Sequence, residues 1–289
     1  MAEARAPGSV LNTYTGLVEL KQLAAISGSD GDPALWMALE AASRAVDRFC
    51  NRHFYVLSCT RTFDVEDAAG FGVPDLVSVT ALREDADRDR VFEVTRSAAD
   101  YLLYPLNADP TAPWGRPYGR VVADPAGPRP EFTVGRRAVE IAGEWGYRRH
   151  TADTGADLNE GGALPAEATT VTITDGTLVA AGQTLLLGGE QVFVREVSGN
   201  NLTVTRGVNG TTAAEHADGL DVLVYRYPEA VARAVLLMAG RFWKRKDSPY
   251  GPTAGAQGFG PIEVVPGTDP DAWALLSSFR RLPVGAVVA

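Results

Sequence analysis

Between residues 32 and 55, the apolar positions Leu35, Leu39, Ala42, Val46 and Phe49 recur at alternating spacings of four and three. Glu40, Arg44, Asp47 and Asn51 fall on the other side, so the spacing predicts a two-faced helix. Asp32 is placed to accept from the orphan N–H groups of the first turn, and Pro33 takes the first helical position, where a missing N–H costs nothing. Such a helix is marginal alone and is held by partner faces. The chain offers these at its two far ends. Thr15 is expected to cap a short helix with Leu17, Leu20 and Leu23 on one face, closed by the polar loop SGSDGD. From Pro228, the residues Val231, Val235, Met238 and Phe242 form another stripe, with Lys244, Arg245 and Lys246 in the last turn, where cations complement the helix dipole. Asp269-Pro270 repeats the cap-plus-proline start and opens a last helix running to about residue 281, with Leu275, Leu276 and Phe279 inward.

Between the helical ends the period changes to two. RTFDV, LVSVTAL, RVFEV and AVEIAGEW read as short strands bounded by Gly, Pro and charged turns. Residues 107–130 hold too many prolines and glycines for interior strands and read as a long arm. Residues 151–162 read as a polar linker, and 163–225 as a compact β module with TTVTITD, QTLLLGG, EQVFVREV, NNLTVTRG and DVLVY as its strands. The pattern predicts an α+β chain: a discontinuous helical domain (1–56 and 226–289) forming a small four-helix bundle, a β region with an arm (57–150), and an inserted small all-β module.

Lys+Arg total 27 against 36 Asp+Glu, a formal charge of −9, which argues against tight, sequence-independent capture of DNA or of an anionic membrane. No stretch has the length and apolarity to span a bilayer, and the first residues lack the apolar core of a signal peptide, so a cytoplasmic site of synthesis is expected. Two cysteines, Cys50 and Cys59, are too few for a disulfide framework.

Catalytic and metal-binding patterns fail in turn, and no cofactor is expected. His53, His150 and His216 have no metal-ligand spacing. Cys50 and His53 share a helix face on paper, but a cysteine on an apolar stripe reads as a small core residue. Asp85, Asp87 and Asp89 imitate the start of a calcium loop, yet Arg90 stands where glycine is needed and Arg96 where the bidentate Glu is needed. A solvated hairpin with local ion pairs to Arg83, Arg88 and Arg90 is expected there. No phosphate-binding loop, dinucleotide fingerprint or nucleophile elbow is present. With chemistry absent, the aromatic and basic residues Trp114, Tyr118, Arg120, Trp243, Lys244, Arg245, Lys246, Trp273 and Phe279 are the candidates for an interface.

The stretches YTGLVELKQL and LEAASRAVDRFCNRHFY (within 14–55), DYLLYP (100–105), VEIAGEWGY and PEAVARAVLLMAGRFWKRKD resemble, in kind and in order, the head-to-tail connector or adaptor proteins of long-tailed bacteriophages. GQTLLLGGEQVFVREVSGNNLTVTRG resembles a β module found in phage structural proteins, an insert that the simplest connectors lack. The resemblance implies a non-enzymatic virion protein of a phage or a gene-transfer agent, made in the bacterial host cytoplasm and located in the neck. It further implies a ring, a dodecamer in the family's usual form, that contacts the portal protein and a stopper or tail-completion protein. Double-stranded DNA would pass through without specific binding, and no membrane is involved. The alternative is a virion-surface β module, binding carbohydrate or a receptor, on a helical stalk. That reading needs exposed aromatics, and residues 170–225 offer only Phe193 and Tyr225.

Overall fold

The computed structural model of the chain describes residues 6, 10–245 and 269–281. Four helices come from the two ends of the chain: α1 (Leu17–Ala24), α2 (Asp32–Cys50), α3 (Glu229–Lys244) and α4 (Pro270–Leu276). α3 packs against all three others, so the fold is α+β with the expected helical bundle and β excursions. On α2 the buried residues include Leu35, Leu39, Ala42 and Val46, the stripe read from the spacing.

Several helix ends differ from expectation. Asp32 is the first helical residue rather than the cap, and its carboxylate is buried against the ammonium of Lys21, joining the first two helices. α1 starts from Gly16 without a side-chain cap, so Thr15 does not play that part. α2 ends at Cys50 because Asn51 turns left-handed (φ 51°) and donates its N–H back to the carbonyls of Arg48 and Asp47. His53 therefore lies beyond the helix and shares no face with Cys50. α4 starts as its signal predicts, with the Asp269 carboxylate accepting from the N–H groups of Asp271 and Ala272. It passes at Ser277 into a 3-10 turn, leaving Leu276 buried and Leu275 and Phe279 only half-buried.

The chain divides into two compact units. The first holds the four helices and a six-stranded antiparallel sheet made of β7 (Thr151–Asp157), β8 (Thr170–Thr172), β9 (Thr184–Leu187), β10 (Glu190–Ser198), β11 (Asn201–Thr205) and β12 (Asp221–Tyr225). Its order is β7-β12-β9-β10-β11-β8. Residues 151–157 are thus an edge strand, not a linker: Ala156 faces the sheet's core with Leu158, while the polar positions suit an edge. The sheet has a core of its own, including Val171, Ile173, Leu185, Leu187, Val192 and Val194. It does not project freely. Gly182 lies against the Trp36 ring of α2, the Thr13 hydroxyl donates to the Gly182 carbonyl (3.3 Å), and Arg195 donates to the carbonyl of Val10 (2.6 Å).

The second unit takes residues 52–151 together with 207–212. Its sheet runs β1 (Leu57–Val65), β6 (Gly135–Trp145), β2 (Gly70–Glu84), β5 (Tyr118–Ala123), β4 (Tyr101–Tyr104), with β3 (Val94–Arg96) paired to β2. β5 is an interior strand, which corrects the reading of 107–130 as one arm. The prolines stand on both sides of β5 and none within it. What remains outside the sheet is a loop before β5 and a turn after it. Phe71, Leu76, Leu82, Val121, Ile141 and Trp145 belong to the core of this unit. Gly210 lies so close to β1 that a Cβ would come within 2.0 Å of the Ser58 carbonyl oxygen.

Candidate interaction surfaces

The loop between β4 and β5 is held at many points. Asp109 accepts from the backbone N–H (3.0 Å) and hydroxyl (2.6 Å) of Thr111, and those bonds hold its carboxyl below the usual aspartate range. Ala112 donates to the Asp109 carbonyl (3.2 Å), Gly115 donates to the Ala112 carbonyl (2.9 Å), and Arg149 N–H closes on the Pro110 carbonyl (2.8 Å). Arg148 bonds the Pro113 carbonyl. A Cβ on Gly115 would come within 1.8 Å of the Asp109 carbonyl oxygen, so only glycine fits. This fixed loop carries Trp114, 84% exposed, with Leu106 (58%) and Arg116 also facing solvent. A rigid segment that leaves an indole in water is the form an interface anchor takes.

The other sequence candidates separate into surface and core. Arg120 is exposed on β5, and the Tyr118 hydroxyl is spent on the Ala108 carbonyl (3.0 Å). Trp243 is half-buried with its ring over Gly31, where a Cβ would meet it at 2.7 Å. Lys244 and Arg245 are exposed, and Lys246 lies outside the described residues. The Trp273 ring packs on Phe49, and Phe279 is half-buried in the 3-10 turn.

A cleft of about 350 Å³ opens in the first unit between the chain before α1, the turn before β9, and the start of α3. Tyr14 and Tyr227 form an edge-to-face pair (4.8 Å) on its wall. Tyr14 is locked from behind. Its hydroxyl bonds Asp47, and the Arg44 guanidinium, 3.2 Å from Asp47, lies over its ring. Burial pushes the Asp47 carboxyl up to about 6, against the opposing pull of Arg44 and the Tyr14 hydroxyl. Glu19, Glu229, Arg226 and Arg233 are exposed around the cleft. Thr184 also lines the cleft, its hydroxyl buried without a hydrogen-bond partner among the described residues.

Two polar clusters were illegible in the sequence. Glu190, 2% exposed, accepts from Nε and Nη2 of Arg206 (2.7 Å each) and from the Ala214 N–H, and meets His216 Nε2 at 2.8 Å. The cluster ties the start of β10 to the segment that follows β11. In the second unit, Arg96 pairs with Glu84, both buried, and Arg96 also bonds the carbonyls of Arg129 and Glu131. The acidic hairpin differs in detail from expectation. Asp85, Asp87, Asp89 and Glu93 converge, but they accept backbone N–H groups of their own turn, while Arg83 pairs with Glu140 (3.1 Å) and Arg88 donates to the Val134 carbonyl. Cys50 and Cys59 are free thiols, Cys50 fully buried. Among the described residues, no helix is long and apolar enough to cross a membrane.

No protein-family model matches the chain, and no curated protein matches it. Among solved structures it is similar to a chain in the neck of an empty GTA particle computed with C6 symmetry (15% identity, covering 99% of this chain and 97% of that one, TM-score 0.43). A chain in the neck of a native GTA particle computed with C12 symmetry gives 16% identity, coverage of 99% and 98%, and a TM-score of 0.41. A chain in the virion of a native gene transfer agent particle gives 17%, 99% and 97%, and 0.39.

Proposed function

We propose that the protein is a non-enzymatic subunit of a viral or virus-like neck: a head-to-tail adaptor that forms a ring beneath the portal and continues the DNA conduit. The observation that carries this reading is the order of elements. The sequence stretches that resemble connectors become α1, α2, β4, β6 and α3, with the helices gathered from both ends of the chain into one bundle and the β material inserted between. The fixed, solvent-facing loop around Trp114 suits a subunit whose work is contact. Net charge of −9 multiplied around a ring gives a passage with few phosphate-binding cations, so that DNA slides without being held.

The reading as a carbohydrate- or receptor-binding module is disfavoured by the burial of both its aromatics, Phe193 at 0% and Tyr225 at 6% exposure, which leaves no ring for stacking on a sugar. The test is cosedimentation of the purified chain with portal-bearing heads and, separately, with duplex DNA. Saturable binding to heads that carry a portal, none to heads that lack one, and negligible DNA binding at physiological salt support the proposal. Submicromolar, salt-sensitive DNA binding by the monomer, with no affinity for portal-bearing heads, overturns it.

A further inference from the structure

We infer that the Trp114 loop of one copy seats in the cleft between Tyr14, Tyr227 and the start of α3 of the next copy, forming the head-to-tail contact of the assembly. The inference rests on the neck reading and names the contact that reading leaves open. The two surfaces fit by size, chemistry and charge. A cleft of about 350 Å³ lies at the small end for a bound ligand and matches one large side chain with its flanking backbone. Its wall offers the half-buried ring of Tyr227, backed by the buried Tyr14, and the exposed side chain of Arg233, groups that take an indole by edge contact and by cation–π attraction.

The rims are complementary. Arg116, two residues after Trp114, stands exposed on the loop, and Glu19 and Glu229 stand exposed at the cleft; Asp109 on the loop answers Arg226 and Arg233. Both partners are already rigid, the loop through its hydrogen bonds and Gly115, the wall through the Tyr14–Asp47–Arg44 cluster, so little conformational freedom is lost on docking. The loop and the cleft are different patches, so repeated from copy to copy the contact is heterologous, the type that propagates around a ring.

The experiment is mass photometry and sedimentation velocity on the full chain and two variants. Trp114→Ala removes the anchor at a residue whose exposure makes its fold safe, and Ala232→Trp fills the cleft from α3; unchanged thermal midpoints confirm folding, with Ala232→Leu as the milder plug if the first fails to fold. The wild-type chain should assemble with rising concentration, and each variant should weaken assembly at least about thirtyfold. An equimolar mixture of Trp114→Ala and the plugged variant should give dimers and nothing larger, because only one productive contact can form between them. Variants that assemble as the wild type does, a mixture that forms rings, or a wild-type chain monomeric up to about 100 μM overturns the contact. The neck reading survives each of these results, since it is judged on portal-bearing heads.

Discussion

Gly182 stands at φ +90° with its α-carbon against the Trp36 indole, so that a Cβ would come within 2.5 Å of the ring. The turn before β9 is thereby fitted to α2 at a point where neither a side chain nor an ordinary backbone angle is tolerated. Gly182→Ala should lower stability by about 1–3 kcal/mol through the left-handed backbone and the clash together. Adding Trp36→Leu to Gly182→Ala should recover the steric part only, and a double-mutant cycle by chemical denaturation reads the coupling. Additive effects would show that the contact transmits nothing.

Asp47 gives the first unit a pH dependence of unusual sign. Its carboxyl, raised by burial from 3.8 to about 6, holds its proton to higher pH in the folded chain than in the unfolded one. It therefore contributes stability that is complete below about pH 4 and is lost as pH rises through about 6, roughly 2–3 kcal/mol in all. Asp47→Asn should flatten stability between pH 4 and 6.5. Carbon-detected NMR titration of the Asp47 carboxyl should place its midpoint near 6, and a midpoint near 4 would contradict the desolvated environment.

In the second unit, the buried Glu84–Arg96 pair ties the 129–133 segment to the sheet: Arg96 bonds two of its carbonyls, and the other Glu84 oxygen accepts the Thr133 N–H (2.8 Å). Glu84→Ala strands the guanidinium and should cost about 3–5 kcal/mol. Replacing both residues together with apolar ones should cost much less than Glu84→Ala plus Arg96→Ala summed. Thermal unfolding of the three variants decides it.

The β7–β12 sheet of the first unit has its own core, and we expect residues 151–225 expressed alone to unfold cooperatively, less stably than in the whole chain because the docking of Gly182 and Arg195 is lost. A segment starting at 163 lacks β7 and should be weaker still. Non-cooperative melting of 151–225 would show that the sheet depends on the helices.

What the sequence shows follows from which forces are local. The apolar stripe of α2, the Asp269-Pro270 start of α4 and the strands from 170 to 225 are written in spacing and turn residues, and they fold as read. Asp32 misleads because the same residue that caps helices can also be drawn one position inward by a distant partner, here Lys21. β5 misleads because proline counts over a window hide a six-residue stretch free of proline, and β7 because an edge strand tolerates the polarity of a linker. Glu84 with Arg96, and Glu190 with Arg206 and His216, are long-range pairings that no local pattern records. Trp114 reads in sequence like four other tryptophans; only its 84% exposure on a fixed loop sets it apart.

The most direct test of the neck assignment is to delete the coding sequence from the genome that produces the particles and to image what is made. The account predicts DNA-filled or DNA-leaking heads and free tails that do not join, with joining restored when the purified chain is added back and a ring of it visible at the portal vertex. Normally tailed particles from the deletion strain would contradict it.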